Sequence, residues 1–124
     1  MQLNPKRADA TQVVNKATLK AAQYLQLTQK ELSQIVGVST PQVSRLFNSG
    51  TLCINQNTKE WECALLFLRL IRSLEGIVGE DPHQAREWLY SYNHHLAEKP
   101  IEMIKNIPGL NEVVSYLDAM RGQG

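Results

Sequence analysis

The spacing of apolar residues predicts an all-α protein. Three observations carry this expectation. Apolar side chains recur at three- and four-residue steps along most of the 124 residues, strand-like alternation of apolar and polar residues is hard to find, and proline is sparse, with five in the chain.

The first helix is predicted from about Arg7 to Leu25, burying Ala10, Val13, Val14, Ala17, Ala21 and Tyr24 and showing Lys16, Lys20 and Gln23 to water. A second fits Gln29 to Val36. Thr28 can cap it, Glu31 has the spacing of a capping box, and Gly37 ends it. A third short helix follows Ser39, with Pro41 in its first turn where a missing N–H costs nothing, and stops around Asn48-Ser49-Gly50. Thr51 to Asn57 is a polar connection with a small apolar island, and the domain boundary is placed there, giving units 1–57 and 58–124.

From Thr58 to about Glu75 the pattern is apolar on most of its circumference. Trp61, Ala64, Leu65, Leu68 and Ile71 form one stripe, and Cys63, Phe67, Leu70 and Leu74 form a second, so this helix is predicted to be covered on more than one side. Its one polar stripe is Glu62, Leu66, Arg69 and Ser73. Leu66 there is either part of an interface, in which case the helix helps build a homodimer, or buried in the domain. Asp81 caps and Pro82 opens a helix to about Tyr92 with Ala85, Trp88 and Leu89 inward. Pro100 opens a short one carrying Ile101, Met103, Ile104 and Ile107, and a last helix follows Pro108-Gly109 with Leu110, Val113, Val114, Leu117 and Met120.

At roughly 100 to 200 residues per domain, this length excludes a multidomain enzyme. The net charge of +1 hides a split: residues 1 to 57 hold six cations against two anions, and residues 58 to 124 hold seven against ten. Two surfaces with different partners are implied. The start of the chain lacks the apolar core of a leader, and no apolar run approaches the 20 or so residues of a membrane span, so a soluble cytoplasmic protein is expected. Cys53 and Cys63 lack zinc-site spacing. His83 and Glu87 lie one helical turn apart, but with His94, His95 and those cysteines they make no chelating pattern, so surface histidines and no metal are expected. No Ser/His/Asp arrangement, phosphate loop or pocketed pair of acids can be traced, and neither catalysis nor a cofactor is expected.

Residues 28 to 47 carry the most information. A steep crossing of two short helices needs a small residue at the contact, where Ser33 stands, and a turn residue tolerant of positive φ, which Gly37 supplies. Leu32, Val36, Val38, Val43 and Leu46 form the shared core. That leaves Ser39, Thr40, Pro41, Gln42, Ser44 and Arg45 outward, side chains suited to a major groove, with Gln29 placed for a phosphate. Arg45 and Gln42 are the candidates for guanine and adenine edges. The segment resembles the Cro/repressor type of helix-turn-helix, which more often has Ala where this chain has Ser33. A tight corner in any small helical bundle is the bland alternative. One such module buries too little surface for tight binding alone, so a dimer on two-fold operator DNA is expected.

The second half, through Ala85-Arg86-Glu87-Trp88-Leu89 and Tyr116-Leu117-Asp118-Ala119-Met120-Arg121-Gly122, resembles the toxin-binding domain of Xre-type antitoxins over about residues 58 to 122. The family often has glycine between its equivalents of Leu96 and Pro100, where this chain has Ala97 and Glu98. The resemblance implies an antitoxin of a type II toxin-antitoxin system that neutralises a cognate toxin, typically a RES-domain enzyme that consumes NAD+, and represses its own operon. In that family the C-terminal helix and tail occlude the toxin's active-site entrance. By position this assigns toxin binding to Leu110 through Gly124, with Tyr116, Asp118, Arg121 and Gly122 as the candidate contacts. The bland account of Tyr116 and Arg121 is that they only cover the domain's own core. The rival function is a stand-alone transcriptional repressor whose second half dimerises or senses a ligand.

Overall fold

A computed structural model describes residues 5–122. Gln123 and Gly124, the end of the expected tail, lie outside the described residues. Among these, the chain is all-α: α1 Pro5–Tyr24, α2 Gln29–Val36, α3 Thr40–Ser49, α4 Lys59–Val78, α5 Pro82–Tyr90, α6 Pro100–Met103 and α7 Ile107–Gly122. An isolated bridge between Asn93 and Glu98 is the only β pairing among the described residues.

The boundaries follow local chemistry. Thr28 and Glu31 form the expected capping box, and Ser39 and Gln42 form a second one at α3. Asp81 caps α5 by accepting from the His83 N–H. α4 runs on past Glu75 to Val78, α5 ends at Tyr90 rather than Tyr92, and the start of α7 moved. Ile107, expected on the short sixth helix, opens α7 instead and is 47% exposed. Pro108 therefore sits in the first turn of α7, where its missing N–H has no partner to lose.

The face that α1 buries differs from the one its apolar spacing suggests. Val14, Asn15, Thr18, Ala21 and Ala22 are buried, while Val13 is 60% exposed. Asn15 explains the rotation. Its side chain accepts from the N–H groups of Cys53 and Ile54 at 3.1 and 3.0 Å and donates to the Ile54 carbonyl at 2.9 Å. A connection lacking helical partners thereby has its buried polar groups satisfied by one amide, and α1 must turn that amide inward.

α4 is the central helix, with α7 packed along it and α1, α2 and α5 also against it. Its second stripe, Cys63, Phe67, Leu70 and Leu74, is wholly buried, as are Ala64 and Ile71. The exposed face runs through Glu62, Leu65, Arg69, Arg72 and Gly76, sharing Glu62 and Arg69 with the expected polar stripe but carrying Leu65 and Arg72 in place of Leu66 and Ser73. Leu66 is half-buried and packs on the core, whereas Leu65, expected inward, is 45% exposed. Ser73, expected on the polar stripe, is buried and bonded. Buried residues from Val14 to Leu117 make one core that crosses residue 57. Gly109 sets how closely α6 and α7 approach. A Cβ there would run into the Met103 carbonyl, whose carbon stands 2.7 Å from the position that Cβ would take.

Candidate functional site

Two polar surfaces stand out, one on α2–α3 and one on α7. At the first, Leu32, Val36, Val38, Val43 and Leu46 are all buried, the core that the sequence assigns to this corner. Gly37 has φ 79°, and its N–H donates to the Ser33 carbonyl at 2.9 Å. Ser33 does more than stay small: its hydroxyl donates to the Val38 carbonyl at 2.5 Å, pinning the turn that leads into α3.

Outward from this corner stand Ser39, Thr40, Pro41 and Arg45, all exposed, with Gln42 and Ser44 half-buried beside them. Gln29 is half-buried in the first turn of α2. Three of these side chains, Ser39, Gln42 and Ser44, already have local partners. The Gln42 carbonyl oxygen accepts from the Ser39 N–H at 2.9 Å and the Ser39 hydroxyl at 3.0 Å, and Ser44 accepts from the Asn48 amide at 3.2 Å. Arg45 has no ion-pair partner among the described residues, and no acid lies on α3. The face can therefore donate to phosphates and base edges without competing carboxylates.

On α7 the structure separates the candidates. Tyr116 is half-buried and faces α5, its ring stacked on Trp88 at 6.5 Å and close to His95 at 6.1 Å. Asp118 faces α4 instead, accepting from the Ser73 hydroxyl at 2.7 Å and pairing with Arg69 at 2.6 Å. Arg121 lies exposed over Gly76, where the absence of a side chain lets the guanidinium stem approach α4. Asp118 and Arg121 line one groove with Leu65, Leu68, Arg72 and Ser73, and Tyr116 is not part of it. Gly122, the last described residue, is exposed.

A third set of residues, whose mutual contacts the sequence reasoning did not anticipate, joins the two halves. Arg86 on α5 donates to the carbonyls of Leu25 and Gln26 that end α1, the latter at 2.9 Å, and its guanidinium lies 4.2 Å from the centre of the Tyr90 ring. The Tyr90 hydroxyl donates to Glu31 at 2.8 Å, the same carboxylate that accepts from the Thr28 N–H to cap α2. Burial pushes the Tyr90 hydroxyl up to about 12, and the bond to Glu31 adds to the shift. At Glu31 burial works upward too, but the bonds from Thr28 and Tyr90 outweigh it and hold the carboxyl below its usual value. The four-residue spacing of Arg86 and Tyr90 is the only signal the sequence held for this bracket.

Both cysteines are buried free thiols, raised above the ordinary thiol pKa by burial first and neighbouring glutamates second, and they act as small apolar side chains. His83, His94 and His95 are exposed, and no group of three metal-ligating side chains comes together among the described residues. No helix among them is long and apolar enough to cross a membrane.

No curated protein matches the chain. Residues 73–122 do match a family, the antitoxin Xre/MbcA/ParS C-terminal toxin-binding domain. The match runs from the last turns of α4 through α7, so it takes in the Ser73–Asp118 bond, Arg86, Tyr90 and the aromatic stack around Tyr116. Over residues 73–122 the chain is therefore similar to the C-terminal toxin-binding domain of Xre/MbcA/ParS antitoxins.

Proposed function

We propose that the chain is the antitoxin of a type II toxin-antitoxin system, working in the cytoplasm without catalysis of its own. It neutralises a cognate RES-type, NAD-consuming toxin and represses its own operon as a homodimer on operator DNA. The work divides at residue 57/58, with DNA contacts before it and toxin contacts after it. The observation that carries the reading is the toxin-binding family match over residues 73–122. For the DNA-binding half the support is geometric: a Gly37 turn at φ 79° between two capped helices, presenting an acid-free face with a free Arg45.

Toxin occlusion is assigned to the end of α7, where Arg121 and Gly122 are exposed. Leu117 is wholly buried and Asp118 is bonded to α4, so a truncation that reaches them would damage the fold. Removing residues 121–124 leaves both in place. The adjacent reading frame, expressed with this truncated chain, should regain toxicity; full protection would overturn the role of the tail. For DNA, Arg45→Ala should weaken binding to the operon's upstream region by the loss of one bidentate contact, about 1 to 3 kcal/mol. Unchanged binding would overturn Arg45 as a base reader.

A further inference from the structure

The exposed face of α4 has no cover in the monomer, and its composition is self-complementary. Glu62, Leu65, Arg69 and Arg72 follow one another at three- and four-residue steps and are all exposed. Leu68 borders them and lines both the groove beside α1, which Ala17 and the exposed Val13 also line, and the groove beside α7. Arg69 is already neutralised by Asp118 at 2.6 Å. Glu62 and Arg72 have no ion-pair partner among the described residues.

We propose that a second copy of this chain docks on this face, α4 against α4 in antiparallel register, with the two-fold axis near Phe67. This inference rests on the homodimer of the preceding reading and names its surface. In that register Glu62 of each copy stands opposite Arg72 of the other. The two residues are ten positions apart, roughly 15 Å along the helix, so one symmetric crossing satisfies both pairs. Leu65 meets the aliphatic stem of Arg69 across the axis, and the guanidinium keeps its bond to Asp118. An isologous contact requires this balance of signs about its centre. Val13 flanks the crossing, which accounts for an apolar residue left open on α1.

Sedimentation equilibrium of the full chain, without toxin or DNA, tests this. The wild type should self-associate to a dimer. Leu65→Glu should weaken the dimer by roughly a hundredfold, and Glu62→Arg or Arg72→Glu alone by about tenfold. The double charge swap, Glu62→Arg with Arg72→Glu, should restore most of the loss. All three positions are exposed, and far-UV circular dichroism checks that each variant is folded. A dimer indifferent to Leu65→Glu and to both single swaps overturns this face while leaving the homodimer standing. A wild type that stays monomeric at about 100 µM, where a specific dimer would be populated, overturns both. If that monomer engages the toxin through Leu65, the face belongs to the toxin and the proposal fails.

Discussion

Ala97 holds a left-handed backbone, φ 59°, in the loop between α5 and α6, a conformation that favours glycine. The loop imposes this conformation: the Asn93 N–H donates to the Glu98 carbonyl at 3.0 Å, and the Leu96 N–H to the Asn93 side chain at 2.9 Å. A Cβ in this region costs about 1 to 2 kcal/mol. Replacing it by glycine removes that strain but frees the unfolded chain, which returns about 0.4 to 1 kcal/mol. The expected net effect of Ala97→Gly is a gain of about 0.5 kcal/mol. With an unfolding entropy of about 2.1 cal/mol/K per residue, roughly 0.26 kcal/mol/K for this chain, the melting temperature should rise by about 2 °C. Gly37→Ala runs the same exchange backwards. Nothing lies within 4 Å of the added Cβ, so only strain acts, and the melt should fall by a similar amount. Asn57 at φ 64° is the control; asparagine tolerates this region, so Asn57→Gly should be close to neutral. Paired thermal melts by circular dichroism read all three. A fall in stability on Ala97→Gly would refute the reasoning.

Asn15→Ala should destabilise the chain by about 3 kcal/mol in urea unfolding, because it leaves the N–H groups of Cys53 and Ile54 and the Ile54 carbonyl buried without partners. Thr18→Val should do the opposite: its hydroxyl is fully buried and makes no hydrogen bond among the described residues, so exchanging it for a methyl should stabilise by about 1 kcal/mol. Tyr90 titrates above its ordinary value in the folded chain, so its contribution is complete below pH 10 and is lost as pH rises through about 12. The stability difference between wild type and Tyr90→Phe should therefore hold constant up to pH 10 and shrink toward pH 12.

How legible the fold was depended on how local its causes are. α2 and α3 matched their expected limits within a residue because caps, turn glycine and apolar spacing all act within a few positions. The rotation of α1 was not legible, since it is set by bonds from Asn15 to residues 38 and 39 positions away. Leu65 and Leu66 differ by one step on a helix apolar almost all round, and periodicity alone cannot choose between them; α7 and its Asp118 make that choice. The candidate contacts were read as types rather than places. Arg45 is exposed and has no ion-pair partner among the described residues, whereas Gln42 is engaged in capping α3. Tyr116 and Asp118, two positions apart in one motif, point to different neighbours.

The bracket of Arg86, Tyr90 and Glu31 limits how this protein can be recombined. A chimera that joins these first 57 residues to a second half without equivalents of Arg86 and Tyr90 would leave the carbonyls after α1 without their donor, and Glu31 with one donor fewer. The two halves are mechanically one body at that corner. Tyr90 and Glu31 tie α5 directly to the cap of α2, so the two elements share one carboxylate.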